Sequence, residues 1–447
     1  MLRASALAFG LALVAAGGSS AEIVARSVQD GMLALGAGGK PFAAYVQGTK
    51  IVLSTRTAPG KWRAKTIGSA PAGSQVKAFT VGSRGPVALV QSADGRKILL
   101  VRRVPVGWQT IRLTRNLAEG VSLGWPGLAL DKKGLPVVAY TRWNAVNSKS
   151  RLLLVRIDVR GKLTSKRITY DGFPQSDVPP PAKPIIVGGR IDVIESYGYR
   201  GVVGTIEWYP NKRTWTGLFI DAGLGDFPLG PVFALHSRTG RVYAAWTESM
   251  LGIGDAPVTL AERGRDSKAD FVLDRALATD LALPASGPEV AANEWVDADE
   301  LDLGGDGQLW AGKVVHDKIG IELDGWVAGF AAAPRGARDL LLGGPAGLRW
   351  FRAPRELGTR VNLDAQSDED GGPVQLSGTV SGVASGRVTI YRERPGSARQ
   401  AVGKPTLSGG AFTFVDNPSV RPLLYRAVYT DPATGIPYAS LLHVPVG

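Results

Sequence analysis

The sequence contains no cysteine among its 447 residues. This excludes disulfide bonds and a lipid-modified N-terminal cysteine, so stability must come from burial of a hydrophobic core. Histidine is also scarce, and neither His236 nor His316 has a second histidine four residues away, as a helical zinc motif requires. No Gly-x-Ser-x-Gly elbow is present either. No motif therefore assigns an activity by itself.

Long apolar segments are absent after the N-terminus. Arg3 precedes the apolar run Ala4–Ala16, and the small residues Ser19 and Ala21 stand at the spacing of a signal-peptidase site. The run is shorter than the roughly 20 residues that a membrane-spanning helix needs. We therefore predict a cleaved signal peptide over residues 1–21, a secreted or cell-envelope location and no membrane span.

Helical patterning is also missing, whereas glycine and proline are abundant, at 58 and 29 residues. Short strands between Gly and Pro turns are typical of all-β domains. A four-strand pattern recurs over residues 22–358, and its second strand begins at Pro41, Pro86, Pro136, Ile191, Val242, Leu309 and Arg338. The first four spacings are 45, 50, 55 and 51 residues, as in β-propeller blades. We predict a propeller of about seven blades, with six as the alternative.

The two ends of this repeat complement each other. The seventh pattern, Trp326–Arg352, contains three strands, and Glu22–Val28 reads as an additional strand before the first pattern. Pairing these segments would close the ring and remove exposed strand edges. We therefore predict that the N-terminal strand completes the last blade.

The repeats resemble those of secreted sialidase-like β-propellers from high-GC bacteria, over about residues 22–355. The resemblance lies in the strand pattern alone, because the Asp boxes of that family, Ser-x-Asp-x-Gly-x-x-Trp, are missing. Ser92 and Asp94 begin one, but Gly95 comes one place too early and no Trp follows. The resemblance therefore implies a fold and no activity.

A polar, acidic segment at 359–373 separates the repeats from a second strand pattern at 374–447. Strands alternating with Gly and Pro turns are typical of a small β-sandwich. Gly378–Val380, Val388–Tyr391 and Gly410–Phe414 resemble the immunoglobulin-like modules of many secreted bacterial proteins. That resemblance implies a spacer or adhesion element. We predict a linker followed by an immunoglobulin-like sandwich.

The longer connections of the repeat join successive blades and join second strands to third strands. In a propeller both sets emerge on one face around the channel, and loops on a rigid scaffold commonly bind ligands. Aromatic, arginine and glutamate side chains there suit a carbohydrate or an anionic polymer. The predicted ligand-binding residues are Trp125, Arg142, Trp143, Tyr197, Tyr199, Arg200 and Glu248. For Tyr197, packing between blades is an equally good interpretation.

Two further motifs have structural alternatives. Clustered carboxylates can bind Ca²⁺, so Asp297, Asp299, Asp302 and Asp306 form a candidate metal site, with a solvated acidic loop as the alternative. No other cofactor is indicated. Ser74-Gln-Val-Lys77 matches Ser-x-x-Lys, but the companion motifs are missing, so we interpret it as the start of a strand.

The net charge of +13 favours anionic surroundings for an exported protein, or it serves solubility alone. The basic residues are spread along the chain, so we predict no nucleic-acid partner. The leading hypothesis is a monomeric, extracellular, non-catalytic binding or scaffold protein for a glycan or an anionic envelope polymer. The alternative is a propeller glycosidase or lyase acting on extracellular polysaccharide, with Glu195, Glu207 and Glu248 as candidate carboxylates.

Overall fold

The computed structural model describes residues 21–114, 117–144, 149–168, 182–187, 190–197, 202–208, 215–220, 227–236, 241–249, 258–263, 269–273, 276–282, 288–297, 308–316, 319–323, 326–332, 338–344, 346–353, 359–367, 372–393, 400–418, 423–433, 436–440 and 444–446. The segment predicted as a signal peptide lies outside these residues, apart from Ala21. Within the described ranges nearly all of the regular structure is β-strand, with one 3₁₀ turn at Ala37–Gly39.

Within the described residues, seven antiparallel sheets follow one another along the chain after a short strand β1 (Glu22–Ala25). The first sheet contains β2 (Met32–Leu35), β3 (Pro41–Gln47), β4 (Lys50–Ala58) and β5 (Lys61–Ser69). The second contains β6 (Gln75–Gly82), β7 (Gly85–Gln91), β8 (Ile98–Val104) and β9 (Gly107–Arg112). The third contains β10 (Val121–Leu123), β11 (Gly127–Leu130), β12 (Pro136–Asn144), β13 (Lys149–Ile157) and β14 (Leu163–Ile168).

The remaining sheets repeat this order. The fourth contains β15 (Ala182–Val187), β16 (Arg190–Tyr197), β17 (Val202–Trp208) and β18 (Trp215–Ile220). The fifth contains β19 (Phe227–His236), β20 (Val242–Ser249), β21 (Val258–Arg263) and β22 (Ala269–Leu273). The sixth contains β23 (Ala276–Ala282), β24 (Glu289–Asp297), β25 (Gln308–His316) and β26 (Ile319–Leu323). The seventh contains β27 (Trp326–Ala332), β28 (Arg338–Gly343) and β29 (Leu348–Ala353).

The position of a strand within its sheet explains its sequence. The second strand β7 reads as a nearly continuous apolar run, and residues 86–91 are all buried. The fourth strand β5 carries charged and polar residues and is mostly exposed. Continuous apolar runs are expected where a strand packs against neighbouring sheets on both faces, whereas outer strands meet solvent.

The sheets pack face to face in a closed ring. Buried residues of successive sheets share hydrophobic clusters, such as Ile51 of the first sheet with Val101 of the second, and Leu33 of the first with Leu341 of the seventh. The innermost strands lie side by side in the order β2, β6, β11, β15, β19, β23, β27 and back to β2. This arrangement is a β-propeller.

The N-terminal strand completes the seventh sheet, as the sequence predicts. β1 pairs antiparallel with β29, which places Glu22 opposite Trp350. Val24 and Val28 are buried in a cluster with Leu348 and other residues of the first and seventh sheets. The outer edge of the last sheet is therefore formed by the start of the described chain.

An ion pair holds the ring closed at this junction. Arg56, in the first sheet, donates from Nε and Nη2 to the two carboxylate oxygens of Glu22 at 2.8 and 2.6 Å, and Trp62 Nε1 donates to Glu22 Oε2 at 3.0 Å. The Arg56 guanidinium also lies 4.5 Å from the ring centroid of Trp350. The hydrogen bond from Arg56 is the main reason that the pKa of Glu22 is held below its ordinary value. We call Glu22, Arg56, Trp62 and Trp350 the closure clamp.

The described residues between 361 and 446 form a two-layer sandwich. Its strands are β30 (Val361–Ser367), β31 (Val374–Val380), β32 (Ser385–Glu393), β33 (Gln400–Gly403), β34 (Thr406–Ser408), β35 (Ala411–Asp416), β36 (Leu423–Thr430), β37 (Pro437–Ala439) and β38 (Val444–Val446). β32 joins the layers, because its start pairs with β34 and its remainder with β36.

The boundary of this sandwich differs from the sequence prediction. The predicted linker, 359–373, contains β30, whose residues pair with β31 from Val361↔Val380 to Ser367↔Val374. Val361 is buried in the sandwich core with Leu376 and Phe412. Polar residues suggested a linker, but in β30 the exposed Asn362, Asp364 and Gln366 alternate with side chains that are buried or half-buried. They occupy the exposed face of an edge strand.

The sandwich is joined to the propeller by strand pairing and by a common core. β37 pairs with β26 of the sixth sheet through Gly320↔Ala439 and Ile321↔Tyr438. Phe330, Leu340 and Leu342 of the seventh sheet belong to the same buried cluster as the sandwich residues. The described residues contain no helix long and apolar enough to cross a membrane.

We predict that Glu22→Ala lowers the free energy of unfolding by about 2 kcal/mol at neutral pH, because Arg56 then loses charge-assisted hydrogen bonds in a partly buried site. Urea denaturation measures this change, with the exposed Glu119→Ala as the matched control. The folded-state pKa of Glu22 lies below its ordinary 4.5. The contribution is therefore present above that value and disappears as the pH falls through the folded-state pKa. Equal stability of parent and variant at neutral pH would contradict the clamp.

We also predict that a chain ending at residue 358 is less stable than the full-length chain. The truncation removes the apolar partners of Phe330, Leu340 and Leu342, and it exposes the edge of β26. Thermal unfolding monitored by circular dichroism measures the effect. A passive spacer would leave the melting temperature of the propeller unchanged.

Candidate ligand-binding site

The innermost strands share an irregularity near their N-terminal ends. In five of the seven sheets the pairing register with the second strand shifts there, which indicates β-bulges. A bulge turns a side chain out of the regular alternation and commonly occurs beside functional sites. The residues between the shifted pairs on the innermost strands are Lys77, Gly124–Pro126, 230–232, Thr279 and Ala328. We call the end of the channel that these bulges surround the channel mouth.

Trp125 lies in the bulge of the third sheet and contacts the sheets on both sides. Its carbonyl oxygen accepts a hydrogen bond from Ala182 N of the fourth sheet at 3.2 Å. Its Nε1 lies 3.4 Å from the carbonyl oxygen of Lys77 in the second sheet, to which it donates. Gly124 N donates a hydrogen bond to Thr141 O at 3.0 Å, so backbone pairing with β12 continues next to Trp125. The fold therefore holds this indole at the channel mouth.

Lys77 is packed on the Trp125 ring. Its Nζ lies 3.4 Å from the ring centroid and donates to Gln75 Oε1 at 2.6 Å. Burial removes water from the ammonium and lowers the pKa of Lys77 to about 8, against a smaller opposing effect from the charge of Asp30. A cation over an aromatic face favours the charged form. Here desolvation has the larger effect, so Lys77 is mostly charged at neutral pH and loses its proton near pH 8.

Asp30 stands immediately before the first innermost strand, at the same end of the ring. Desolvation raises the pKa of its carboxyl, while the charge of Lys77 and the N–H of Gly31 act in the opposite direction. The side chain is nevertheless exposed to water, as expected on the wall of a concave opening. Contact with water limits the size of this effect. Asp30, Lys77 and Trp125 together provide a carboxyl, an amine and an aromatic ring, and we call them the mouth triad.

The structure brings only some of the predicted residues into this environment. Arg142 and Trp143 lie in β12 and pair with Leu123 and Ser122, a few residues from Trp125. Both are half-buried, and Trp143 Nε1 is enclosed without a hydrogen-bond partner in the described part of the chain. Its indole N–H is therefore not offered to a ligand in this arrangement.

The other predicted residues are only partly described. Tyr197 ends β16, and Glu248 lies next to the end of β20, but their side chains are not described. Tyr199 and Arg200 lie outside the described residues. Their roles as ligand contacts stay predictions.

The candidate calcium site falls mainly outside the described residues as well. Asp297 is the last residue of β24, whereas Asp299, Asp302 and Asp306 are not described. Among the residues that are described, no group of three or more His, Cys, Asp or Glu side chains is placed to hold a metal ion. Calcium binding stays a prediction.

Sequence reasoning missed Lys77 and Asp30 as site residues. Lys77 was noted only as the last residue of the Ser-x-x-Lys match. The prediction that this segment starts a strand is confirmed, because β6 begins at Gln75. Ser74 Oγ donates to Pro71 O at 2.6 Å, which ties this hydroxyl to a turn. The relevant partner of Lys77 is Trp125, 48 residues away in the sequence. Only the ring geometry brings the two together.

Comparisons with known proteins do not assign a family. No protein-family model matches the chain, and no curated protein matches it. Similar solved structures include a Lactobacillus plantarum protein, with 10% identity and a TM-score of 0.42 over 72% of this chain and 88% of that one. Penicillium chrysogenum α-L-arabinanase with arabinobiose has 11% identity and a TM-score of 0.42, covering 62% and 91%. An ulvan lyase bound to -[GlcA(1-4)Rha3S]- has 11% identity and a TM-score of 0.39, covering 75% and 93%. These values are too low to assign an activity to this chain.

We predict that the Lys77 amine titrates with a midpoint near pH 8 rather than near its ordinary 10.5, because burial disfavours its charge. Reductive ¹³C-methylation followed by NMR at increasing pH measures the midpoint, and Lys77→Gln assigns the resonance. Asp30→Asn should lower the midpoint further, because it removes the negative charge that favours the ammonium. A midpoint near 10.5 would show that the amine is well hydrated.

Proposed function

We propose that this protein is an exported, non-catalytic binding protein whose channel mouth takes an acidic glycan or a related anionic polymer of the cell envelope. The observation that supports the proposal is the contact between Lys77 and Trp125, which lie at irregularities in the innermost strands of adjacent sheets. An aromatic face beside a cation suits a sugar ring that bears a carboxylate or another anionic group.

The remaining chemistry of the mouth is consistent with such a ligand. Asp30 reaches water and can accept hydrogen bonds from sugar hydroxyls, while Gln75 presents an exposed amide beside Lys77. A few convergent polar groups near an aromatic wall are typical of small-molecule and glycan sites. The net charge of +13 would also attract a polyanion at low ionic strength.

One observation favours a lyase as the second candidate. A general base works best with a pKa close to the operating pH, and burial brings the pKa of Lys77 to about 8. Such an amine could remove the proton adjacent to a uronate carboxylate and start β-elimination of the glycosidic bond. A glycosidase would instead need two carboxyl groups about 5 to 9.5 Å apart. In the described part of the channel mouth, Asp30 is the one carboxyl group that we assign as a candidate for this role.

We predict that Lys77→Gln and Trp125→Ala each weaken binding of an acidic polysaccharide at least about tenfold, because each removes one side of the contact. Calorimetry with polygalacturonate as the probe measures affinity, and Lys65→Gln on an exposed strand is the charge-matched control. Binding to the parent protein should fall as the pH rises above about 8, since Lys77 loses its charge there. Equal affinity of parent and Lys77→Gln would contradict the proposed site.

Incubation with uronate polymers separates the two functions. Elimination creates an unsaturated sugar that absorbs in the ultraviolet, whereas a binding protein leaves the polymer intact.

We also propose that the protein is exported and monomeric. N-terminal sequencing of the secreted protein should begin at Glu22, and light scattering should give the mass of one chain.

A further inference from the structure

A cavity lies between the second and third sheets, at the end of the strands opposite the channel mouth. Its volume is about 330 Å³, at the lower end of the range for small-molecule sites. The short turns around Arg84, Val104, Leu135 and Val159 line it. It shares no residue with the mouth triad.

Two equivalent turns of the third sheet build one side of the cavity. Asp131 Oδ1 accepts hydrogen bonds from the backbone N–H groups of residues 133 and 135, both at 2.9 Å. Asp158 Oδ1 accepts from those of residues 160 and 162 at 2.9 and 2.8 Å. Each turn ends on a glycine with positive φ, Gly134 or Gly161. One oxygen of each carboxylate is therefore engaged by its own turn. Neither aspartate lines the cavity, although the charge of Asp158 acts on Arg102.

Three arginines line the same cavity. Arg102 is only 5% exposed, and it donates to Gln109 Oε1 at 3.0 Å and to the carbonyl oxygens of Asp158 and Val159 at 2.6 and 3.1 Å. A guanidinium has five N–H groups, so two remain beyond these three bonds. Backbone carbonyls thus hold a buried cation against the cavity without neutralising it.

The other two arginines, Arg84 and Arg103, have N–H groups without a partner among the described residues. Arg84 Nε donates to Lys133 O at 2.8 Å, and its two terminal nitrogens have no partner in the described part of the chain. Arg103 is exposed and makes no hydrogen bond or ion pair with the described residues. Burial lowers the pKa of Arg102, the charge of Asp158 acts in the opposite direction, and the charge of Arg84 adds a smaller lowering effect. The Asp158 carboxylate offsets part of the cost of bringing these cations together, and an anion in the cavity would offset more of it.

We propose that this cavity binds a phosphate or sulfate group carried on a sugar-sized ligand. Planar guanidinium groups match tetrahedral oxyanions through paired N–H donors. The volume exceeds that of the anion alone, and Val87, Val104, Leu135 and Pro136 offer an apolar wall for the attached carbon skeleton. The proposal rests on this cavity and is independent of the function proposed for the channel mouth.

Calorimetry at constant ionic strength tests the ligand class with four probes: glucose 6-phosphate, glucose 6-sulfate, inorganic phosphate and glucose. We expect at least one sugar ester to bind more tightly than inorganic phosphate, and glucose not to bind. The two esters distinguish a phosphate site from a sulfate site. Absence of binding by both esters, or equal affinity for glucose, would overturn the proposal.

Paired variants test the location. Arg84→Gln with Arg103→Gln should weaken ester binding about tenfold for each arginine lost. Arg63→Gln with Lys65→Gln removes the same two charges from the exposed strand β5 and should leave the affinity unchanged. Equal weakening in both double variants would indicate general charge attraction and refute the site. Trp125→Ala should have no effect, and loss of ester binding in that variant would place the anion at the channel mouth instead.

Discussion

A closed ring of sheets depends on the contact between its last and first sheets. Here the short strand β1 completes that contact. β1 supplies the outer edge of the seventh sheet, and the Glu22 carboxylate joins it to Arg56 and Trp62 of the first sheet. The bond is charge-assisted and partly shielded from water, so it contributes more than an exposed ion pair would. Every inner strand takes its position from its two neighbours, and both faces of the ring depend on this closure.

The two ends of the ring differ in chemistry because one carries β-bulges and the other carries tight turns. At the channel mouth, bulges in the innermost strands displace side chains and bring Lys77 against Trp125. At the other end, tight turns engage their aspartates internally and leave arginines to line a cavity. Both ends therefore present positive charge, in one case on an aromatic surface and in the other in a concave pocket.

The C-terminal sandwich belongs structurally to the ring. Its strand β37 extends the sixth sheet, and its core continues into the contact between the sixth and seventh sheets. That contact already contains a fully buried ion pair between Glu289 and Arg338. A buried ion pair needs surrounding packing to hold its geometry. The sandwich covers neighbouring apolar residues and so protects the part of the ring next to the closure.

The repeated strand pattern and the additional N-terminal strand were enough to predict an all-β ring closed by its own N-terminus, because hydrophobic alternation and turn residues act locally. Trp125 was also predicted to face a ligand, from its place in a long connection between sheets. The partnership of Trp125 with Lys77 could not be predicted, because a bulge changes pairing register without a clear sequence signal. β30 was taken for a linker because polar residues on the exposed face of an edge strand look like those of a loop. The cavity of Arg84, Arg102 and Arg103 likewise exists only where turns from two sheets meet. Local pattern determined the strands, and contacts between distant segments decided which side chains share a site.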